Sequence, residues 1–263
     1  MKPRLESISD SMQGVIVLRF NVAEGIQSIT RAHVNCYLIE DDEGITVVDA
    51  GLPRMWPELS EALEKIGRTS DEVKALILTH GHFDHVGFAV RMQREWQTPV
   101  YVHQDDASLA AHPYRYTPQR NRVVYPLFHP RSLPIIGGRA AAGALGVKGV
   151  SETRRFSSNE VVPVPGRPVA LHTPGDTRGH CMFHLPERGV MLTGDALVTL
   201  DPYTGQVGPQ IVASAATQNT REAMDSLRIL DEQASNILLP GHGEPWRQGT
   251  EAALRHAEAV GEH

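Results

Sequence analysis

Short apolar stretches alternate with polar loops along the chain, and their spacing predicts both strands and helices. Runs of apolar and β-branched residues predict strands at 15–20, 33–40, 45–49, 73–79, 99–103, 169–173, 181–185, 190–193 and 236–239. Apolar positions three and four residues apart predict helices at 56–66, 88–96, 220–232 and 250–260. Both halves of the chain thus contain strands that end in polar, histidine-bearing loops. This order predicts an α/β fold of two packed sheets with helices outside.

Residues 111–160 interrupt this pattern, because they are rich in Pro, Gly, Arg and Tyr and show little periodicity. We interpret them as a loop-rich insert within a single domain that spans residues 1–263. Inserted loops of this kind often shape substrate pockets.

The composition is that of an ordinary globular protein, with 41% hydrophobic and 21% charged residues. The net charge of −6 disfavours a nucleic-acid-binding protein, which usually carries a basic surplus. Residues 1–14 lack the features of a signal peptide, and no run reaches the roughly 20 apolar residues of a membrane helix. Cys36 and Cys181 lie in separate apolar stretches, so we expect two buried thiols in a cytoplasmic protein with no membrane partner.

Histidine is the one unusual residue, with 13 copies, several of them clustered. His80, His82, Asp84 and His85 directly follow an apolar stretch, in a loop that Gly81 opens. Imidazole and carboxylate groups are ligands for zinc, iron and manganese. Because four such side chains within six residues cannot easily reach one ion, this spacing predicts two metal ions a few ångströms apart.

Two more polar side chains follow apolar strands later in the chain. Asp195 ends a Thr-Gly-Asp segment, and His242 stands in a Pro-Gly-His-Gly segment. Each segment alone is an ordinary turn sequence. Their order and spacing, taken with the first cluster, indicate one shared metal site.

In these segments the chain closely resembles the metallo-β-lactamase superfamily. The HxHxDH motif of that family corresponds to residues 80–85, its bridging aspartate to Asp195 and its last histidine to His242. Asp49, in a Val-Val-Asp-Ala-Gly segment, matches an early family aspartate that supports the metal-binding loop. The resemblance covers nearly the whole chain. It implies a four-layer αβ/βα sandwich with two divalent metal ions, zinc first, with manganese or iron as alternatives.

One position departs from the family pattern. The usual Thr-Pro-Gly-His-Thr segment, whose histidine completes the first metal site, has Asp176 in place of that histidine. Aspartate can bind zinc, but it is shorter than histidine by roughly 2 Å, so the loop must move inward, a water must bridge, or the site must weaken. We expect Asp176 to be a ligand or nearly so. His180 matches a family histidine that is not normally a ligand, and rescue by His172 or His180 is the weaker alternative.

The aspartate also changes the charge of the site. With Asp84, Asp176 and Asp195 ionised, two divalent ions and one hydroxide give a neutral site, one unit less positive than with histidine at position 176. A less positive site should acidify its bound water less and favour harder ions such as manganese or iron.

The resemblance implies hydrolysis of an ester, lactone, thioester or amide bond by a metal-bound hydroxide. Asp84 is the expected catalytic residue, because it would ligate the second ion, orient the nucleophile and pass a proton to the leaving group. Motif spacing is similar to that of acyl-homoserine-lactone lactonases and glyoxalase-II-like thioesterases. One class of β-lactamases uses a cysteine as a metal ligand, and the absence of cysteine at position 195 argues against that class.

Residues of the insert are candidates for substrate contacts. An anion-binding wall could be formed by its tyrosines and arginines, although a solvated basic surface also explains them. They are Tyr114, Arg115, Tyr116, Arg120, Arg122 and Arg131, of which Tyr114, Arg115 and Arg120 are the first candidates. We expect a small-molecule substrate and no nucleic-acid partner, and we leave a homodimer open.

Two alternatives to the dinuclear hydrolase remain. One is an enzyme like the persulfide dioxygenases, which hold a single iron ion with two histidines and an aspartate. The presence of Asp84, His85 and His242 together favours the hydrolase. The other is a binding protein or a catalytically impaired homologue in which Asp176 disables the first site. A nuclease is disfavoured by the acidic chain.

Overall fold

Two β-sheets packed face to face form the centre of the molecule, and helices cover both outer faces. The structure is a computed structural model that describes residues 4–8, 16–122 and 125–263. The resulting four-layer αβ/βα sandwich confirms the predicted fold class.

The first sheet has eight strands, which follow one another in chain order. They are β1 (Arg4–Ile8), β2 (Ile16–Ala23), β3 (Ile26–Arg31), β4 (Val34–Asp41), β5 (Gly44–Val48), β6 (Val73–Ile77), β7 (Val100–His103) and β8 (Thr153–Phe156). Strands β1 to β5 pair antiparallel, and β5 to β8 pair parallel.

The second sheet has five strands, and a separate hairpin has two. The strands are β9 (Glu160–Val161), β10 (Val169–His172), β11 (Cys181–Leu185), β12 (Val190–Gly194), β13 (Val198–Leu200), β14 (Val207–Gln210) and β15 (Ile237–Pro240). The sheet has the order β15-β12-β11-β10-β9, and β13 pairs with β14.

Eight α-helices complete the part of the chain that the structure describes. They are α1 (Trp56–Lys65), α2 (Phe83–Val86), α3 (Ala89–Trp96), α4 (Ala107–Ala111), α5 (Leu133–Ala141), α6 (Thr220–Ser226), α7 (Ile229–Glu232) and α8 (Gly249–Val260). Apolar residues of α1 and α3 pack on the outer face of the first sheet, and those of α6, α7 and α8 pack on the second.

Strand β4 shows how the two sheets share the core. Alternate residues of a strand point to opposite faces. Cys36 and Leu38 therefore pack under the helices, while Tyr37 and Ile39 pack between the sheets. Since both faces are covered, the first six residues of β4 are buried, and five of those six are apolar.

The insert at 111–160 holds more regular structure than its composition predicts. Helix α5 lies within it, and β8 adds the last strand to the first sheet. The predicted helix at 220–232 is divided into α6 and α7. Most other predicted elements are confirmed within one or two residues, but Val15, at the start of the first predicted strand, lies outside the described residues.

Two smaller expectations concern the cysteines and the membrane. Cys36 and Cys181 are both buried and free, as predicted. Among the described residues, none of the helices is both long and apolar enough to cross a membrane.

Candidate metal centre

Loops that follow six strands carry polar side chains to one edge of the sandwich. These strands are β5, β6, β7, β10, β12 and β15. β5, β6 and β7 are parallel neighbours, and β12 and β15 are parallel in the second sheet. Loops that follow such strands gather their functional groups at one edge. The buried polar residues brought there are Asp49, His80, His82, Asp84, His85, Asp106, Asp176, His180, Asp195 and His242.

The first of two ligand groups consists of His80, His82 and Asp176. Asp176 Oδ2 is 3.4 Å from His80 Nε2 and 3.2 Å from His82 Nδ1. Ligand atoms around a tetrahedral ion with bonds of about 2.0–2.1 Å are roughly 3.3 Å apart, so these spacings fit one ion. Asp176 therefore reaches the place where the usual pattern has a longer histidine.

The second ligand group consists of Asp84, His85 and His242. His242 Nε2 is 3.6 Å from Asp84 Oδ2. Asp195 lies between the two groups, with Oδ1 3.3 Å from His85 Nε2 and Oδ2 3.1 Å from His242 Nε2. Its Oδ2 is also 4.0 Å from His80 Nε2. Asp195 is thus placed as a ligand that two ions could share.

Unpaired polar atoms indicate what these groups are built to hold. The buried atoms of these groups without a hydrogen-bond partner include His80 Nε2, His85 Nε2, Asp176 Oδ2 and Asp195 Oδ1. Each buried unpaired group costs about 1–3 kcal/mol, so a cluster of them needs a compensating ligand. A divalent metal ion accepts lone pairs from imidazole and carboxylate alike, and the residues present therefore fit a metal ion.

Asp49 and Thr79 orient two of the histidines. Asp49 Oδ2 accepts hydrogen bonds from His85 Nδ1 and Thr79 Oγ1, both at 2.8 Å. Because the Thr79 hydroxyl donates to Asp49, it accepts from His80 Nδ1 at 3.0 Å. Both imidazoles therefore present an Nε2 lone pair to the centre. Asp49 has a left-handed backbone, with φ of 62°, which aims its carboxylate inward.

His180 positions a loop and has no free nitrogen for a metal. Its Nε2 accepts from the backbone N–H groups of Asp195 at 3.0 Å and of the next residue at 3.2 Å. Its Nδ1 donates to Thr173 Oγ1 at 2.9 Å. His172 is half-buried, and its Nε2 bonds to the Arg178 carbonyl at 2.8 Å. Neither histidine therefore replaces Asp176.

Asp106 joins the loop of the first histidines to the loop of Asp176, and sequence reasoning missed it. Its Oδ2 accepts from Gly81 N and Thr177 Oγ1, both at 2.8 Å, and its Oδ1 accepts from Gly179 N at 2.8 Å. The available signal was weak, since Asp106 is the last of three consecutive polar residues, 104–106, after strand β7.

The His242 loop is fixed to the first sheet by Asn35. Its Nδ2 donates to the carbonyls of Pro240 at 2.9 Å and Gly243 at 2.8 Å. Gly241 lies in the same loop. A Cβ on this residue would lie 2.3 Å from Asp195 Oδ1, so only glycine fits there. His242 Nδ1 donates to the His33 carbonyl at 2.8 Å, which leaves Nε2 facing the centre.

Arg139 on helix α5 is the second residue that sequence reasoning missed. Its Nη1 lies 2.9 Å from Asp84 Oδ2, and the guanidinium is buried. It belongs to the insert, where no helix was predicted, so neither periodicity nor a motif singled it out.

Burial and neighbouring charges shift the pKa values of the ligands. Burial lowers the pKa of His80 well below its ordinary value, which keeps the imidazole neutral. Burial raises the pKa of Asp84, but the charges of Arg139, His85 and His242 outweigh it, so the pKa falls below its usual value. The pKa of Asp195 is likewise held well below its ordinary value, because His242 and His85 outweigh burial. Both carboxylates are therefore ionised at neutral pH.

An apolar pocket of about 430 Å³ adjoins the centre. Its wall includes Phe83, Tyr114, Leu133, Ile136, Tyr203 and, at the border with the centre, Arg139. The Tyr114 ring stacks on Phe83 at 5.5 Å, while its hydroxyl donates to the Ala144 carbonyl at 2.6 Å.

The residues of the predicted anion-binding wall do not lie together: Tyr114 and Arg122 line the apolar pocket, and the others lie outside it. Arg115 lines a different pocket, together with Asp105 and Arg178, and Arg120 is exposed. Arg122 and Arg139 are the arginines in the wall of the apolar pocket. The expectation for Arg115 and Arg120 rested on composition, which does not say which way a loop turns.

Comparison with known proteins tests the resemblance. The family described as the metallo-beta-lactamase superfamily matches residues 29–242, which is most of the chain. The chain belongs to this superfamily. Membership is consistent with the buried His and Asp groups, since proteins of the metallo-β-lactamase superfamily bind divalent metals.

The individual proteins compared below are 21–27% identical to the chain. The chain is 27% identical over 246 residues to the "Probable metallo-hydrolase YflN" of Bacillus subtilis, which covers 86% of each chain. It is 27% identical over 218 residues to the hydroxyacylglutathione hydrolase GloC of Haemophilus influenzae, covering 82% of this chain and 88% of that one. A metallo-β-lactamase family protein of Thermus thermophilus shares the fold, with a TM-score of 0.62, 21% identity, and coverage of 98% and 77%.

Proposed function

We propose that the protein is a metal-dependent hydrolase that cleaves an ester, lactone, thioester or amide bond in a small molecule. The observation that carries this proposal is the convergence of two ligand groups on Asp195, with unpaired buried atoms directed between them. A bound divalent ion of zinc, or else manganese or iron, would acidify water and polarise a carbonyl group. The two ligand groups support two metal positions.

The chain's own residues prepare the centre for this chemistry. His80, His82 and Asp176 would hold one ion, Asp84, His85 and His242 the other, and Asp195 both. The carboxylate of Asp84, which is ionised at neutral pH, would orient the attacking water, accept a proton from it and pass that proton to the leaving group.

The apolar pocket supports an acyl group as the part of the substrate beside the scissile bond. Its walls are aromatic and aliphatic side chains, and burial of each methylene contributes about 0.8 kcal/mol. A relative named as a hydroxyacylglutathione hydrolase also favours an acyl ester or thioester.

Metal removal and a matched substrate panel test the proposal. We expect chelated protein to lose hydrolysis of p-nitrophenyl esters, lactones and thioesters, and zinc, manganese or iron to restore it. Within one bond type, kcat/KM should rise from acetyl to hexanoyl substrates as the chain fills the pocket. Activity that survives complete metal removal would disprove the metal-dependent mechanism.

One observation favours a second candidate, a mononuclear iron oxygenase that resembles the persulfide dioxygenases. His80, His82 and Asp176 form a set of two histidines and one carboxylate, which is typical of non-haem iron(II) oxygenases. Elemental analysis separates the two candidates. One iron per chain, with dioxygen consumed when a glutathione persulfide is added, would favour the oxygenase over the hydrolase.

A further inference from the structure

The guanidinium of Arg139 occupies the side of the second ligand group that faces the apolar pocket. Its Nη1 is 2.9 Å from Asp84 Oδ2, the oxygen that faces His242 Nε2 at 3.6 Å. A metal ion in this group needs an oxygen of the same carboxylate. Arg139 therefore already binds one of the ligands.

Arg139 also covers the ring of His242. Its Nη2 lies 2.9 Å from Nδ1 and 3.2 Å from Nε2 of that imidazole. An atom this close to both ring nitrogens cannot lie in the ring plane without striking the carbon between them. Nη2 of the guanidinium therefore lies over the imidazole face, a contact that arginine makes readily.

The two ligand groups thus differ in charge. In the first group, Asp176 Oδ2 faces the imidazoles of His80 and His82. In the second, a buried cation is already paired with Asp84. A single divalent ion and Arg139 carry three positive charges, which balance Asp84, Asp176 and Asp195. Because position 176 is a carboxylate, the site is neutral when only one ion is bound.

We infer that Arg139 and a second metal ion compete for Asp84 and His242. The first position then binds its ion tightly, and the second fills only when the Arg139 side chain moves aside. This inference rests on the proposed metal centre, and it makes Arg139 a positioning residue that sets metal occupancy.

Zinc titration of metal-free protein tests the inference without using activity. Calorimetry, with elemental analysis after dialysis against buffered zinc, should find one tight and one weak ion in the wild type. Arg139→Met should strengthen the second ion about 10- to 100-fold, the range typical of groups next to a metal ligand. Arg139→Lys, which keeps the charge but loses the planar stacking group, should lie between them.

The matched control is Arg122→Met. Arg122 lines the same pocket, but its guanidinium lies 4.4 Å from the ring centre of Tyr116. We expect this variant to bind zinc as the wild type does, and thermal unfolding checks that every variant is folded. If the wild type and Arg139→Met both bound two zinc ions with equal affinity, the inference would be wrong and the hydrolase proposal would stand. Binding of no ion by either protein would overturn both.

Discussion

At position 176 a carboxylate is held from both sides. Thr217 Oγ1, which donates to the Val212 carbonyl at 2.7 Å, lies 3.3 Å from Asp176 Oδ1, and Oδ2 faces His80 and His82. The backbone of the next loop also binds this segment, since Gln218 N donates to the Asp176 carbonyl at 3.2 Å. The segment therefore lies close enough to the centre for the shorter side chain to reach His80 and His82.

Asp176→Asn removes the charge of this group and keeps its shape. We expect zinc affinity at the first position to fall about 10- to 100-fold, because an amide oxygen is a weaker ligand than a carboxylate. Calorimetric titration measures the change. Asp225→Asn, on the exposed surface of α6, is the control. Equal affinity in all three proteins would show that Asp176 is not a ligand.

Asp176→His restores the usual family residue and tests whether the aspartate impairs the enzyme. An imidazole is longer than the carboxylate that already fits between His80 and His82. We therefore expect no gain in kcat/KM for ester or lactone substrates. A large rise would instead identify the natural chain as an impaired hydrolase or a binding protein.

At the level of elements, sequence patterns predicted the parts of the fold with strong periodicity. The HxHxDH segment and the positions of Asp195 and His242 could be found because each follows an apolar strand. Strand β3 was missed because Gln27 and Ser28 are polar and yet buried. Helix α5 was missed because it contains a proline and two glycines, which have low helix propensity. Contacts with the rest of the protein, and not local propensity, stabilise α5. Sequence patterns alone therefore could not identify Arg139 as a residue of the site.

Asp106 tests how far the loops depend on one another. Asp106→Asn leaves at least one of its three donors without an acceptor, because an amide offers only one oxygen. We expect the free energy of unfolding to fall by about 1–3 kcal/mol, with weaker zinc binding at the first position. Urea unfolding and zinc titration measure both effects.

The neighbouring Asp105→Asn is the matched control for this experiment. Its side chain is half-exposed and belongs to the same short turn. Unchanged stability and zinc affinity are expected for this variant. If Asp106→Asn behaved in the same way, the loops would not depend on this carboxylate.

At the scale of the whole molecule, the centre connects the two sheets. His80, His82, Asp84 and His85 follow β6 of the first sheet, while Asp195 and His242 follow β12 and β15 of the second. A bound ion would therefore link the two layers of the sandwich. The homodimer stays a prediction, as does the identity of the native metal.

Zinc should accordingly stabilise the entire fold. At a free concentration of about 100 Kd, one ion adds about 2.7 kcal/mol. For a protein of this size, that raises Tm by roughly 5–10 °C. Differential scanning calorimetry of chelated and zinc-loaded protein measures the shift. Glu251→Gln, an exposed carboxylate on α8, should show the full shift, and Asp195→Asn should show much less.

The distribution of the ligands along the chain also governs when the centre can assemble. His80 and His242 are far apart in sequence and meet only after both sheets have packed, and such distant contacts form late in folding. A nascent or partly folded chain contains the first histidines, but the other ligands of the metal centre are not yet in place. Loading with metal would therefore follow folding, and a retained ion would report that the complete sandwich has formed.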